Sequence, residues 1–404
     1  MERRHTRTLR ATTAAAGLAL VLSACGGSTD EESGSAEETT AASATPETPR
    51  VAVTYEDGVA VLDGETLEVL EKFDTEEFTR LNAVGDGRHL LLTTTAGFQV
   101  LDTAEPELTD TVVDAEAAGH VVRHAGQTVL YADGTSETTI LDTDALLESD
   151  GELPEGTTWT APEAHHGVSI VLEDGTLLTT LGDEETRSGA VALEPGAEGE
   201  EWTEVTRNEE CPGIHGEGTA AGEAVVFGCE DGALLYRDGE FQKLQAPDEF
   251  GRMGNAYVSE TSPLVVGDYK TDPDAEGYLL DQVALIDTEA GTFEPVSLPE
   301  GVEYTWRGVV RGPDDLAYLL GTDGAIHVMD PANGEVGESF PVVEPWEGPD
   351  DWQNPHPALS VQGEVAYVAD PARQQVHAVD LTTGEVTASV DLGHEPNEMA
   401  AAIG

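Results

Sequence analysis

The stretch from residue 209 to residue 232, EECPGIHGEGTAAGEAVVFGCEDG, combines residue types that support several kinds of chemistry. Cys211 and Cys229 are 18 residues apart, and His215 follows the first cysteine by four residues. Cysteine and histidine are common zinc ligands, and two cysteines can also form a disulfide or a redox centre. The stretch lacks the paired-cysteine or cysteine–histidine spacing of a zinc knuckle. Whether the stretch forms a zinc site, a redox centre or a structural disulfide therefore depends on the cell compartment and on the surrounding fold.

The start of the chain is typical of a bacterial lipoprotein. Residues 1–24 join a basic segment to an apolar stretch that is too short to span a bilayer, and LSAC closely matches a lipobox. We therefore predict a signal peptide over residues 1–24, lipidation of Cys25, a disordered acidic tether over 25–49 and a folded domain over 50–404. The protein is expected outside the cytoplasm, attached to the outer face of the cell membrane only through its lipid.

This location favours a disulfide between Cys211 and Cys229, because thiol pairs are oxidised outside the reducing cytosol. The pair would staple the chain segment that carries His215. The sequence has 80 acidic and 18 basic residues and a formal net charge of −62. Nucleic acids and anionic lipid head groups are excluded as partners by this charge. The acidic surface serves to solvate the protein or to attract cations.

A repeated phrase predicts the fold. A turn signal precedes an alternating apolar run that closes with aspartate, and the first intervals are 39 and 40 residues. The closing residues of the phrases are Asp63, Asp102, Asp142, Asp287, Asp330 and Asp380. The gap between Asp142 and Asp287 fits three further periods, which gives eight units of the length of a four-stranded propeller blade. We predict an all-β protein with one eight-bladed β-propeller, or a seven-bladed one as the alternative, closed by pairing the C-terminal strand with N-terminal strands.

Histidines recur where the innermost strands of the predicted blades begin. His120, His166 and His215 fall on the third, fourth and fifth blades. Inner strands line the central channel, so these side chains are expected to converge at its mouth. Three imidazoles suffice for a Zn²⁺ site with an open position. We therefore predict His120, His166 and His215 as metal ligands.

Other residues are weaker candidates for the same site. His165 is adjacent to His166, and His356 and His394 begin the inner strands of later units. On an unbroken strand His124 would face the channel one step below His120. By the same alternation, Glu217 would share a face with His215. Polar propeller channels also contain histidines without any metal, so channel lining is the alternative role of these residues.

The motifs AHHG, CPGIHGE…FGCEDG and GHEPNEM, together with the lipobox, resemble the AztD family of zinc metallochaperones. The resemblance covers the chain from about residue 50 to its end. It implies a propeller that binds Zn²⁺ outside the cytoplasm and passes it to the solute-binding protein of a zinc ABC transporter. Family members can carry a histidine-rich segment for zinc capture, whereas residues 25–49 contain no histidine. We expect a monomeric carrier without enzymatic activity.

Two other functions remain open from the sequence. Several units resemble the YVTN-type repeats of bacterial surface propellers, which indicates a metal-free scaffold for protein contacts. A zinc hydrolase would need a general base beside the metal, and Glu217 is the candidate for that role. Loss of the histidines would abolish zinc binding in a carrier and leave a scaffold unaffected.

Overall fold

The computed structural model describes residues 48–148, 153–196, 201–275 and 277–402. The predicted signal peptide, Cys25 and the tether up to residue 47 lie outside these residues. The described part is built from β-strands, with one short α-helix, α1 (Thr143–Glu148). Within these ranges, no helix is both long enough and apolar enough to cross a membrane.

The strands follow one another at short intervals along the chain. In the first half they are β1 (Arg50–Tyr55), β2 (Gly58–Asp63), β3 (Val69–Asp74), β4 (Arg80–Ala83), β5 (His89–Thr94), β6 (Gly97–Asp102), β7 (Glu107–Asp114), β8 (Ala118–His124), β9 (Gln127–Ala132), β10 (Glu137–Asp142), β11 (Thr157–Thr160), β12 (Ser169–Val171), β13 (Leu177–Gly182), β14 (Arg187–Glu194) and β15 (Thr203–Asn208).

In the second half the strands are β16 (His215–Ala220), β17 (Ala224–Cys229), β18 (Asp231–Arg237), β19 (Glu240–Gln245), β20 (Gly251–Arg252), β21 (Ala256–Tyr257), β22 (Leu264–Tyr269), β23 (Gln282–Asp287), β24 (Thr292–Ser297), β25 (Val309–Arg311), β26 (Ala317–Leu320), β27 (Ala325–Asp330), β28 (Glu335–Pro341), β29 (Ala358–Gln362), β30 (Val365–Asp370), β31 (Gln375–Asp380), β32 (Glu385–Asp391) and β33 (Met399–Ala401). Short 3-10 helices cover Ala221–Glu223, Trp306–Gly308, Pro313–Asp315 and Pro371–Arg373.

These strands form eight antiparallel sheets, the blades of a propeller, which confirms the predicted fold and blade number. We number the blades from the N-terminus. The inner strands of blades two to eight are β4, β8, β12, β16, β21, β25 and β29. Blade five gains one parallel bridge from β20 to β18. Each inner strand therefore begins at the same mouth of the channel.

The ring closes through blade one. The C-terminal strand β33 pairs with β1 and becomes the inner strand of that blade, with Val51 opposite Ala401 and Val53 opposite Met399. The pairing leaves blade one with strands from both ends of the domain, as the sequence predicted. A closed ring has no open interface between its first and last blades, so the inner strands keep fixed positions around the channel.

The aspartate that closes each repeated phrase has a structural role. It ends the third strand of its blade, and its carboxylate accepts hydrogen bonds from backbone N–H groups of the following turn. Asp380 Oδ1 accepts from the amides of Thr382 at 2.8 Å and Thr383 at 3.0 Å. Asp63 Oδ1 accepts from Glu65 and Thr66 in the same way. The recurring aspartate therefore marks, in the sequence, the turn between the third and fourth strands of each blade.

Buried apolar side chains pack between neighbouring blades. One cluster spans blades three, four and five and includes Val129, Leu178 and Phe227, each almost fully buried. The predicted disulfide is present: Cys211 and Cys229 are bonded and belong to this cluster. The three blades that carry the candidate ligands thus share one rigid core.

Candidate metal centre

The three predicted ligands occupy the same mouth of the channel. His120 is the third residue of β8, and His215 is the first residue of β16. His166 precedes β12 by three residues. Each therefore belongs to the start of the inner strand of a different blade, and the three blades are consecutive. Ring closure converts similar positions in three sequence repeats into one cluster.

The three imidazole rings contact one another. Their ring centres lie 5.2 Å apart for His120 and His166, 5.5 Å for His120 and His215, and 5.1 Å for His166 and His215. One ligand nitrogen from each ring lies within 4.8 Å of the others. Around a tetrahedral zinc ion such nitrogens are about 3.4 Å apart, as bond lengths of 2.0–2.1 Å require. Small side-chain rotations thus bring the three nitrogens to the spacing that a metal needs.

Two of the histidines are oriented through their Nδ1 atoms. His166 Nδ1 lies 2.7 Å from Asp133 Oδ2, and His215 Nδ1 lies 2.6 Å from the carbonyl oxygen of Gly254. Each partner accepts a hydrogen bond, so the proton is held on Nδ1 and the lone pair on Nε2. Metal-bound histidines in proteins show this arrangement, with a carboxylate or carbonyl behind the ring. The Nε2 atoms of His166 and His215 are therefore free to donate their lone pairs to a metal ion.

Irregular strand pairing aims two of the rings. In β8, Gly119 and His120 together face the single residue Tyr131 of β9. In β16, the register shifts between His215 and Glu217 because Gly216 adopts a φ of +61°. A Cβ at Gly216 would lie 2.4 Å from the carbonyl oxygen of Gly254. Glycine is therefore required there, and such bulges commonly redirect functional side chains.

Burial keeps two of the three imidazoles, those of His215 and His120, uncharged. It lowers the pKa of His215 to about 4. Burial, followed by repulsion from His215 and His166, holds the pKa of His120 well below its ordinary value. Both imidazoles are neutral at pH 7, and neutral imidazole is the form that binds a metal ion. The cluster is a preformed set of nitrogen donors for an ion such as Zn²⁺.

A cavity of about 470 Å³ adjoins the cluster and is bordered by all three histidines. Its other walls include Trp306 and Trp352, which both lie against the Arg80 guanidinium, at 5.3 and 5.9 Å from the ring centres. Below it a channel cavity of about 300 Å³ is lined by His120 and Glu217 among others. The side chain of His166 is 42% exposed, so the cluster can be reached from outside.

The weaker candidates on the same two blades do not join the cluster. His165 is buried, with Nε2 3.1 Å from Tyr131 Oη and Nδ1 3.2 Å from Ser136 Oγ. Its nitrogens are therefore occupied by the protein. His124 ends β8, and its Nε2 lies 2.8 Å from a carboxylate oxygen of Glu223. The expected extra ligands are instead structural side chains.

His356 and His394 also lie apart from the three histidines. The ring of His356 is buried and stacks on Trp346, and its Nδ1 lies 2.8 Å from the carbonyl oxygen of Asn354. The exposed His394 stacks on Tyr55, with ring centres 4.2 Å apart. Among the described residues, the cluster of nitrogens within 4.8 Å contains neither of them.

Glu217 is not placed as alternation predicts. His215 pairs with Gly228 and Glu217 pairs with Phe227, the next residue of β17, because the bulge at Gly216 shifts the register. The two side chains therefore do not share one face. Glu217 lines the channel cavity and lies outside the group of three histidines. Burial raises its pKa to about 7.

The structure adds residues that the sequence did not indicate. Asp133 lies in the turn after β9, where an Asp-Gly pair reads simply as turn chemistry. Its contact with His166 depends on the packing of blade three against blade four. Arg80, Arg252 and Lys270 also border the cavity of the cluster. They come from separate repeats and follow no spacing pattern, so no sequence signal unites them.

Comparison with known proteins gives a relative with a similar sequence. The chain is 24% identical over 311 residues to the zinc chaperone AztD of Citrobacter koseri, which covers 75% of this chain and 70% of the relative. The chain resembles AztD. The resemblance noted from the sequence motifs is thereby confirmed. No family model matches the chain.

Solved structures show the same fold. Apo AztD from Citrobacter koseri aligns with a TM-score of 0.72 at 20% identity, over 88% of this chain and 98% of that one. A second AztD crystal structure aligns with a TM-score of 0.70 at 21% identity, over 87% and 96%. Dihydro-heme d1 dehydrogenase NirN, in complex with DHE, aligns at 0.58 and 13% identity, over 88% and 76%. The eight-bladed architecture is therefore shared with AztD and with an oxidoreductase.

The placement of His356 leads to a prediction about stability in acid. Burial, followed by the nearby Arg307 charge, lowers the pKa of His356 to about 4. In the unfolded chain the pKa of a histidine is about 6.5, so between pH 4 and 6.5 the unfolded chain binds more protons at this residue than the folded protein does. The contribution of neutral His356 to the free energy of unfolding is therefore complete above pH 6.5 and falls as the pH is lowered towards 4. We expect the parent to lose about 2 kcal/mol more unfolding free energy than His356→Gln across this window.

Urea denaturation of the metal-free parent and His356→Gln at several pH values measures this difference. Other titrating groups, such as Glu217, act equally in both proteins and cancel in the comparison. Equal losses in the two proteins would show that His356 is not held neutral in the folded state.

Proposed function

We propose that this protein binds one Zn²⁺ ion at His120, His166 and His215 and acts as a zinc chaperone. The observation that carries the proposal is the convergence of three imidazoles from consecutive blades, with ligand nitrogens within 4.8 Å of one another. Similarity to the zinc chaperone AztD supports it independently. Zn²⁺ is the cargo of this site.

The site is suited to holding zinc and also to giving it up. His120 and His215 are half-buried on rigid inner strands, whereas His166 lies in the segment before β12 and is exposed. Three protein ligands leave a tetrahedral position open. An acceptor can approach from the exposed side, occupy that position and replace the histidines in turn. Transfer then proceeds without release of free zinc.

We further propose the solute-binding protein of a zinc ABC transporter as the acceptor. The lipoprotein signal, with lipidation at Cys25, would hold the domain at the outer face of the cell membrane, where such proteins work. The tether from residue 25 to residue 49 gives the domain reach. The strong negative charge of the chain, −62, raises the local concentration of divalent cations within about 8–10 Å of the surface.

A carrier is favoured over an enzyme by the position of Glu217. A zinc hydrolase requires a general base beside the metal-bound water. Among the described residues, the group that can hold a metal contains the three histidines and no carboxylate. The NirN structure shows that this fold also serves an oxidoreductase, but at 13% identity that likeness concerns the architecture only. Similarity to a chaperone points to transfer.

A transfer experiment tests the proposal. Protein loaded with one equivalent of zinc is mixed with a zinc-free solute-binding protein of a zinc transporter in the presence of excess chelator, and zinc in each separated protein is measured. We expect zinc to reach the acceptor faster than it reaches the chelator. Zinc found only in the chelator would contradict direct transfer. A protein that takes up no zinc would instead support the metal-free scaffold.

Asp133 should strengthen zinc binding although it does not touch the metal. Its carboxylate fixes the orientation and the proton position of the His166 ring. We expect Asp133→Asn to lower zinc affinity by about tenfold, because loss of such an outer partner typically costs 10–100-fold. Competition with a chromogenic chelator measures the change. Asp183→Asn, at an exposed turn of blade four, is the control and should leave the affinity unchanged.

A further inference from the structure

Positively charged side chains gather around the three histidines in a strongly acidic chain. The sequence has 80 acidic and 18 basic residues, yet Arg80, Arg252 and Lys270 border the cavity beside the cluster. One carboxylate, Asp268, lies on the same wall, where its oxygens accept hydrogen bonds from Gly254 and Asn255. The cavity is thus basic, unlike the surface as a whole.

Two arginines near the site make no direct ion pair. In the described part of the chain, the side chains of Arg187 and Arg252 form no ion pair and no hydrogen bond, while Lys270 Nζ donates to the carbonyl oxygen of Ala275 at 3.1 Å. Both arginines are half-buried, and they are close enough for the charge of Arg252 to lower the pKa of Arg187. Carboxylates act on both from a greater distance, Glu230 and Asp133 on Arg187 and Asp268 on Arg252, so each guanidinium keeps hydrogen-bond donors that an anion can use.

The same arginines act on the zinc ligands. Arg252 and Arg187 both lie within electrostatic reach of His215, and Arg187 also reaches His120. A divalent cation bound by the three imidazoles would be repelled by these charges. An anion placed between Arg252 and the metal would offset the repulsion and fill the fourth position on the metal. Arginine binds carboxylates with two parallel hydrogen bonds, and carboxylate oxygen is also an ordinary zinc ligand.

We propose that the cavity beside the three histidines is a carboxylate-binding subsite, in which Arg252 on the cavity wall holds a carboxylate against the zinc ion and the positive charge of Arg187 assists it. This inference rests on the proposed zinc site. The carboxylate belongs either to a small free acid or to a side chain of a docked protein. The cavity, at about 470 Å³ with Trp306, Trp352 and Tyr278 in its walls, has room for a group larger than the carboxylate itself.

The subsite would couple zinc retention to the anion. Carboxylate and zinc strengthen each other's binding by the same factor, as thermodynamic linkage requires. Zinc is held firmly while the carboxylate is present. Once the carboxylate leaves, the two arginines repel the ion and favour its departure to an acceptor. The basic wall is therefore a device for release as well as for anion binding.

Zinc affinity measured with and without succinate tests the subsite. Free zinc is set by a metal buffer, at constant pH and ionic strength, for the parent, Arg187→Gln, Arg252→Gln and Arg373→Gln. Arg373 lies far along the chain on an exposed 3-10 helix and pairs with Glu344, so it is the matched control. Without succinate, we expect Arg187→Gln and Arg252→Gln to bind zinc about fivefold more tightly than the parent.

With succinate, the affinity of the parent and of Arg373→Gln should rise about tenfold, that of Arg252→Gln should not change, and that of Arg187→Gln should rise by less than tenfold. An identical response in all four proteins would overturn the subsite while leaving the zinc site intact. A parent that binds no zinc would refute the proposed function. Calorimetry of succinate binding to the metal-free proteins then decides the subsite alone: binding lost in Arg252→Gln supports it, and its absence in the parent overturns it.

A second ligand identifies the source of the carboxylate. N-acetyl-aspartyl amide carries the same group as a protein side chain does. A response to this compound as large as that to succinate assigns the carboxylate to a docked protein. A response to succinate alone assigns it to a free acid. Each of these results supports the subsite, and no response to either compound contradicts it.

Discussion

Replacing His215 with alanine should lower the zinc affinity of the protein by about 100-fold or more. Loss of a residue that only supports a ligand typically costs 10–100-fold, and loss of a ligand among three should exceed this. The His215 ring is held by the carbonyl oxygen of Gly254 at 2.6 Å, and among the described residues the group that can hold a metal contains no fourth side chain to replace it. His166→Ala should have a similar effect. Competition with a chromogenic chelator measures both.

His394→Ala is the matched control for these variants. His394 also precedes an inner strand, β33, but it stacks on Tyr55 and lies outside the cluster. Its replacement should leave both the stoichiometry and the affinity unchanged. Weak binding of several ions that persists in all the variants would place zinc on the acidic surface, and the metal-free scaffold would then replace the carrier.

Removal of the disulfide should reduce the free energy of unfolding by about 3 kcal/mol, the value that the chain-entropy model gives for a closed loop of this length. Cys211 and Cys229 are 18 residues apart and fully buried in the core shared by blades three to five. The loop they close contains β16, so the bond also fixes the start of the strand that bears His215. The double variant Cys211→Ala/Cys229→Ala avoids burying hydroxyl groups. Urea denaturation measures the change.

Reductant provides the control for the disulfide. Adding it to the parent should shift the urea midpoint towards that of the double variant, and adding it to the double variant should have no effect. Zinc affinity should fall only a few-fold, because the ligand side chains are all retained. An unchanged urea midpoint in the double variant would show that the core of these blades holds the loop without the bond.

The fold could be predicted because each repeat carries a physical marker. The aspartates at positions such as Asp102 and Asp330 recur because their carboxylates cap the turn after the third strand. Their spacing therefore counts blades. Closure of the ring could be predicted because the C-terminal segment was expected to pair with N-terminal strands, and it pairs with β1. Between Asp142 and Asp287, the length of the gap alone gave the number of blades once the period was known.

The site could be predicted only in part. Similar positions in three repeats predicted that His120, His166 and His215 would lie together, because the propeller brings the starts of inner strands together. The same reasoning failed for His356, whose ring packs on Trp346. It failed for Glu217 because alternation assumes a regular strand, and one positive φ at Gly216 shifts the register.

Residues that support the site came from contacts between repeats. Asp133 of blade three contacts His166 of the neighbouring blade four. Arg252 borders the same cavity as His215 and lies in the connection that leads to blade six. Such pairs have no fixed separation in sequence, since they depend on how neighbouring blades pack. Their residue types, an aspartate in a turn and an arginine beside a strand, are common at positions without a function. Only the folded ring distinguishes them.

Zinc K-edge X-ray absorption of the protein with one equivalent of zinc tests the central claim most directly. Three imidazole nitrogens at about 2.0–2.1 Å, together with one further light-atom ligand, are expected from the three histidines and the open fourth position. The imidazole signal should decrease in His215→Ala and remain in His394→Ala. A coordination shell of oxygen atoms alone would contradict a zinc centre at His120, His166 and His215.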